Sequence, residues 1–273
     1  GKTMRNDLNE MARQIRATSL RAIHAARSGH PGGSLSIADM LAVLYFDVMN
    51  VDPAEPDDVC RDRLVLSKGH ACPALYAALA HRGYFPVAQA ETLRRIDSIM
   101  EGHPDFRIPG VDAPSGSLGM GLSQGLGMAM GAKYQGLPFR THVIVGDGDM
   151  QEGNTWEAIM SAGFKGLDNL VVIYDGNKLQ GDAPVETQLS LGDVAQKVSA
   201  FGWHTISIDG HDTAAIKAAL DEAKTVTGKP TFIVADTVKG KGVSFMEGVL
   251  YWHGSVTMKD AELSDALKEL EAA

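Results

Sequence analysis

Between Arg140 and Val238 the chain alternates short apolar runs with amphipathic ones. THVIVG, NLVVIYD, WHTISID and TFIVADTV read as strands, and NTWEAIMSAGFKG, LGDVAQKVSAFG and DTAAIKAALDEAK between them read as helices. Strands too apolar to face water on either side, each followed by a helical crossover, imply right-handed βαβ units and a parallel sheet covered on both faces. The expected fold is therefore α/β, a doubly wound, mostly parallel sheet with helices on both faces. With 273 residues, 44% hydrophobic and 22% charged, the chain can bury one large core. No repeat, linker or low-complexity tract divides it, so residues 1–273 read as one domain.

The flanks follow the same periodicities. Leu8, Met11, Ala12, Ile15, Ser19, Ala22, Ile23 and Ala26 share one face, which predicts a helix over 5–28. SGHPGGS breaks it. Ser36, with Asp39 three residues on, reads as a capping box for a second helix, so the N-terminal helices occupy 5–48. RLVLS (63–67) predicts a strand, CPALYAAL a helix with Pro73 in its first turn, and 87–97 another helix. Residues 98–117, containing EGHPD, read as a long irregular stretch of the kind that carries function. Gly119, Gly121, Gly125, Gly127 and Gly131 suggest a small-residue helix packed closely on a neighbour or a ligand. The segment 259–272 reads as an amphipathic C-terminal helix.

Formal net charge is −9, which argues against a general nucleic-acid or anionic-membrane surface. No apolar run approaches the roughly 18 residues of a membrane span. The first residues lack the apolar core of a signal peptide, and Cys60 and Cys72 form no CxxC pair; a reducing, cytoplasmic setting is expected. Any anionic ligand must then be held locally, by glycine amides, a metal, or a few His and Lys side chains.

VIVGDGDMQEG (143–153) shows where. In an open parallel sheet, ligands sit beyond the carboxyl ends of strands. Asp147 ends one strand and Asn177 follows the next, so both can face one point. A carboxylate, an amide oxygen and a backbone carbonyl suit Mg²⁺ or Ca²⁺. Gly146 and Gly148 let the backbone approach a phosphate. On spacing alone, a plain Gly/Asp turn accounts for GDGD equally well. An EF-hand fails because its twelfth position would be Ala158, and no P-loop GxxxxGK[ST] occurs.

GDGDMQEGNTWEAIMSAGFKGLDNLVVIYDGNKLQGD resembles the thiamine diphosphate motif of transketolases, opening with GDG and closing with Asn about thirty residues later. SGHPGGSLSIADMLAVLY, LSKGHACPALYAAL, GHP (102–104), SGSLGMGLSQGLGMAMGAKY, FGWHTISIDGHD and TVKGKGVSFMEGVLYWHG resemble transketolase segments in family order. The similarity is to the N-terminal, diphosphate-binding half of a split transketolase. It implies a thiamine diphosphate-dependent transferase of pentose phosphate-type carbohydrate metabolism, moving a two-carbon ketol unit from a ketose to an aldose. It further implies Mg²⁺ (or Ca²⁺) on Asp147, Asn177 and the Leu179 carbonyl. His70, Gly148, Lys239 and His253 are implied diphosphate contacts, with Gly116 and Leu118 lining the aminopyrimidine. Glu152 links the cofactor to the partner subunit's site, and His30, His103 and His253 are substrate-channel histidines. Histidine suits these tasks because its unperturbed pKa of about 6.5 allows proton transfer in both directions near neutrality. His24, His81, His142, His204 and His211 match no active-site position and read as structural.

Other readings carry less. GLSQG fits G-x-S-x-G with Ser123 as nucleophile, but APSGSLGM before it is no strand, which a serine hydrolase would need. The α subunit of a 2-oxo-acid dehydrogenase and a 1-deoxyxylulose-phosphate-synthase-like enzyme are related alternatives; the SGHPGGS, KGHACPALY and GHP histidines favour ketol transfer. A non-catalytic cofactor-binding partner is a further alternative. No second α/β unit follows the last helix, so a C-terminal partner subunit is expected in an α2β2 assembly. It would supply the activating glutamate and the groups that bind the anionic end of sugar phosphates or related sugars.

Overall fold

The computed structural model describes residues 7–181 and 183–272. Helix α1 (Leu8–Ala26) starts at Asp7, whose carboxylate accepts from the Asn9 and Glu10 amides, and stops at Arg27 in the left-handed region. Two short helices follow, α2 (Pro31–Leu35) and α3 (Ala38–Val43), the latter running into a π-helical turn over Leu44–Val48. The next elements are β1 (Arg63–Leu66), α4 (Cys72–Arg82), α5 (Val87–Ala90) and α6 (Gly121–Gln135). Then come β2 (Thr141–Gly146), α7 (Gly153–Lys165) and β3 (Leu170–Gly176). A two-residue ribbon, β4 (Leu179–Gln180) against β5 (Ala183–Pro184), leads to α8 (Val185–Gln188) and α9 (Val194–Ala200). The chain closes with β6 (His204–Asp209), α10 (Thr213–Thr225), β7 (Thr231–Asp236) and α11 (Asp260–Ala272).

The main sheet is wholly parallel, in the order β1-β2-β3-β7-β6, with Val143 opposite Val172 and Ile173 opposite Ile233. Period-2 alternation sorts its side chains. Leu64, Leu66, Ile144, Val171, Ile173, Ile233 and Ala235 pack with residues of α1, α3, α4 and α10. Val65, Val143, Val145, Leu170, Val172, Tyr174 and Phe232 pack with residues of α6, α7 and α9. A third cluster, with Leu20, Leu35, Val243, Met246, Trp252, Met258 and Leu270, fixes the C-terminal segment on α1 and α2. The doubly wound sheet is as the pattern predicts.

Several local expectations change. Ser36 caps nothing: its hydroxyl donates to Gly33 O and to Asp175, and Ile37 precedes α3 without a side-chain cap. Asp39 is instead bound by buried Arg16, an ion pair that outcompetes a capping role. The helix over 87–97 shortens to Val87–Ala90. The Thr92 hydroxyl meets Gln89 O and Ser98 Oγ, and Arg94 turns to φ +58° so that its amide reaches Met100 O. SGHPGGS is not wholly irregular, since Pro31 opens α2. Leu191–Asp193 and Phe201–Gly202 fall outside α9. Residues 5 and 6 of the first helix and Ala273 lie outside the described residues. No helix is long and apolar enough to cross a membrane among those described.

Candidate functional site

The carboxyl ends of β1, β2, β3 and β7 converge on a cavity of about 270 Å³, lined among others by His30, Gly33, Lys68, His70, Asp147 and Lys239. Its floor is a buried ion pair: Lys68 Nζ, in the turn after β1, lies 2.5 Å from Asp175 Oδ2 at the end of β3. Asp175 also accepts from Ser36, Thr237 and the Asn177 amide. Burial alone would raise its carboxyl, but Lys68 and these donors outweigh burial and hold it below the usual range.

Among the described residues no cation pairs directly with Asp147, although the Lys68 charge lowers it slightly. Its carboxylate is 4% exposed and accepts from Tyr174 Oη at 2.5 Å and from the Lys178 amide at 3.0 Å. Burial, with Asp175 nearby, pushes its carboxyl up to about 6 against those two hydrogen bonds. Lys178 sits at φ +68°, an uncommon conformation for a lysine, in the turn that carries Asn177 and Leu179 past Asp147. Asn177 and Leu179 line the same cavity. The Leu179 carbonyl accepts from Lys239 Nζ at 2.7 Å and keeps a second lone pair. One carboxylate, one amide oxygen and one carbonyl form a hard donor set. Asp149 lines the same cavity, but both its oxygens are engaged in structure: it accepts from Ser67, the Gly119 amide and the Gly146 amide.

Opposite lie three imidazoles. His30, His70 and His253 form a triangle with centroids 5.0, 5.8 and 5.8 Å apart. Gly254 permits this closeness, because a Cβ there would fall 2.1 Å from His30 Cδ2. Burial, then neighbouring cations, drives His30 and His253 down to about 4, and His70 well below its ordinary value. All three are neutral at pH 7. Lys239 Nζ also donates to His253 Nδ1 at 2.7 Å, which leaves the His253 proton on Nε2. Burial and Lys68 lower Lys239 to about 8. Among the described residues His30 Nδ1 and Gln180 Oε1 are buried without a hydrogen-bond partner, so the cavity holds polar capacity that those residues leave unused.

The sequence-nominated His30, His70, Gly116, Leu118, Asp147, Gly148, Asn177, Leu179, Lys239 and His253 all line this cavity. Two nominated residues do not. His103 is exposed at the rim, its ring against Gly116. Glu152 is exposed before α7, where it packs against Gly119. Lys68, Asp175, Gly33 and Gln180 were missed. The only signals in the sequence are a lysine in KGH directly after a predicted strand and an aspartate closing NLVVIYD. Ser123 lies in the first turn of α6, preceded by turns and not by a strand, so no nucleophile elbow exists.

Residues 8–271 match the family described as transketolase, thiamine diphosphate binding domain. The chain is 46% identical over 266 residues to the 6-deoxy-6-sulfo-D-fructose transketolase subunit SqwG of Clostridium sp. (strain MSTE9), covering 97% of this chain and 96% of that protein. It is 39% identical over 255 residues to a subunit of the apulose-4-phosphate transketolase of Phocaeicola vulgatus, covering 91% of each. The solved transketolase of Leishmania mexicana superposes with a TM-score of 0.91 at 32% identity, over 97% of this chain and 41% of that one. The chain thus spans about two fifths of that structure, and 40% of mouse transketolase, to which it is 41% identical over 93% of its own length. With its parallel sheet, its strand-end cavity and these matches, the chain belongs to the transketolase family, as the thiamine diphosphate-binding, N-terminal part.

Proposed function

We propose that this chain is the N-terminal subunit of a split transketolase, which with a C-terminal partner moves a two-carbon ketol unit from an anionic ketose to an aldose. The observation that carries the reading is the cavity itself, where a buried carboxylate without a cation faces three neutral histidines and a lysine. These residues fit thiamine diphosphate with Mg²⁺ (or Ca²⁺). Asp147, Asn177 Oδ1 and the Leu179 carbonyl would hold the metal, and the unsatisfied His30 Nδ1 and Gln180 Oε1 mark room for polar ligand atoms. When bound, thiamine diphosphate supplies the carbon nucleophile that the polypeptide lacks.

The chain's own residues bind, orient and move protons. His70, Lys239, His253 and the Gly148 amide hold the diphosphate, while Gly116 and Leu118 line the ring side. His30 and His253 flank the donor's C3 hydroxyl as its C2–C3 bond breaks; neutral His30 is suited to accept the proton, and His253, protonated on Nε2, is suited to donate one. His103, at the rim, holds the C1 hydroxyl. Glu152, exposed on the surface, is suited to contact the partner.

Residues 1–273 form one thiamine diphosphate-binding domain in this reading. Met120, Met130 and Tyr134 on or beside α6, and Met160 and Phe164 on α7, are exposed and offer the partner an apolar face. Two relatives of nearly the same length are named as subunits, which supports the split; the assembly in this reading is α2β2. Free Cys60 and Cys72 suit a reducing cytoplasm. Those relatives' names include a sulfonated and a phosphorylated sugar, which supports a substrate with an anionic group of one of these kinds.

The test is a ketol-transfer assay with sugar phosphates and 6-deoxy-6-sulfofructose as donors, with and without the neighbouring gene product. Turnover only with both chains is expected. Turnover by this chain alone would overturn the split. Failure of the pair on every donor would overturn the transferase reading.

A further inference from the structure

His211 matched no active-site position in the sequence, and it lines no part of the cofactor cavity. Its two ring nitrogens nevertheless join two buried parts of the molecule. Nε2 accepts from the Val238 amide at 2.8 Å, and Nδ1 lies 2.8 Å from Asp39 Oδ2. A nitrogen that accepts a hydrogen bond carries no proton, so the proton sits on Nδ1 and is donated to Asp39. Asp39 is fixed in turn by both terminal nitrogens of Arg16, whose Nε donates to Leu35 O at 3.2 Å. The Arg16 and Asp39 side chains are each 7% exposed, so this support is buried.

Val238 lies beyond the end of β7, where its amide has no strand partner. The next residue is Lys239. On its other side the Gly240 amide is held by Gly32 O at 3.0 Å, and upstream Thr237 Oγ1 is held by Asp175 at 2.5 Å. The Gly248 amide also donates to Lys239 O at 2.9 Å, and His211 adds the side-chain anchor, on the Val238 amide, to the segment that aims Lys239 Nζ at the Leu179 carbonyl and at His253 Nδ1.

We propose that His211, oriented by Asp39 and Arg16, is a positioning residue that sets Lys239, and through it His253 and the Leu179 carbonyl, for a bound diphosphate. The proposal rests on the reading of the cavity as a thiamine diphosphate site. Its rival is that His211 serves only as a donor to buried Asp39. The two roles use opposite nitrogens, and that separates them. The short amide of His211→Asn reaches the Nδ1 position, so it keeps a donor for Asp39 and loses the acceptor for Val238. The longer His211→Gln places an acceptor at the Nε2 position and gives up the Asp39 contact.

The experiment measures thiamine diphosphate affinity by calorimetry, with Mg²⁺, on wild type, His211→Asn and His211→Gln assembled with the partner subunit. Thermal unfolding of each is recorded alongside, together with ¹⁵N chemical shifts of the His211 ring in the wild-type chain. Positioning predicts a protonated Nδ1 and a loss of roughly 10–100-fold in affinity for His211→Asn, the range for residues that orient ligands from behind. It also predicts that His211→Gln binds within about threefold of wild type even if it melts lower. Binding by His211→Asn equal to wild type, a loss in His211→Gln as large as in His211→Asn, or a proton on Nε2 would overturn it. Failure of wild type itself to bind thiamine diphosphate would overturn the reading of the cavity, a different outcome from wild-type binding with the variants in the wrong order.

Discussion

Replacing Asp147 by asparagine should make the metal-free protein more stable at neutral pH. The carboxylate is almost wholly buried, and burial, reinforced by Asp175, raises it from 3.8 to about 6. A folded value above the unfolded one means the fold prefers the protonated form. That contribution is complete below pH about 4 and is lost as pH rises through about 6. The gap between 3.8 and 6, at about 1.4 kcal/mol per pH unit, makes ionised Asp147 cost the fold about 3 kcal/mol at pH 7.5. Asparagine keeps an acceptor for Tyr174 but cannot also accept from the Lys178 amide, which returns about 1 kcal/mol. The net gain is about 1–2 kcal/mol. With an unfolding entropy of about 2.1 cal/mol/K per residue over 273 residues, Tm should rise by about 2–4 °C. Circular dichroism melts in EDTA at pH 7.5 and pH 5 measure this; the ionisation cost roughly halves at pH 5, so the net advantage should shrink to about 0.5 kcal/mol or less. Magnesium with thiamine diphosphate should then raise the Tm of wild type and leave the variant unmoved. A variant less stable than wild type by more than about 1 kcal/mol at pH 7.5, or an advantage that ignores pH, would refute the picture of a carboxylate awaiting its cation.

Lys68→Met should cost about 3–5 kcal/mol in a urea titration, because it leaves Asp175 charged and buried; a loss under about 1 kcal/mol would show that Ser36, Thr237 and Asn177 suffice. Gly125→Ala should cost roughly 1–3 kcal/mol, since its Cβ would meet Val143 Cγ2 at 2.3 Å. Gly127→Ala, with nothing within 4 Å, should gain up to about 1 kcal/mol in the isolated chain; similar effects for the pair would contradict the packing. His103→Ala should impair donor use in steady-state kinetics while thiamine diphosphate affinity holds, whereas His253→Ala should damage both. Loss of cofactor affinity in His103→Ala would be incompatible with its place at the rim.

The sheet was legible because period-2 apolar runs between period-3.6 ones admit few alternatives. The strand-end positions of Asp147 and Asn177 followed from that topology, and the glycine-loop histidines from the family segments around them. What the sequence hid were partnerships between distant residues. Ser36 and Asp39 have capping-box spacing, yet their partners are Asp175, 139 residues away, and Arg16, 23 residues away. Lys68 and Asp175 are ordinary residues until packing removes water from both. The glycine run looked uniform, but Gly121 and Gly125 press on Ser67 and Val143 whereas Gly127 faces open space. His211 read as structural because its role depends on which nitrogen faces which neighbour.

The most direct test is a calorimetric titration of thiamine diphosphate into the chain assembled with its partner, run with Mg²⁺ and again with EDTA, on wild type and Asp147→Ala. Saturable binding that requires the metal in wild type, and is weakened at least tenfold in Asp147→Ala, is the predicted result. Equal binding in EDTA, or equal affinity in the variant, would contradict the assignment of the β2 and β3 strand ends as a metal–diphosphate site.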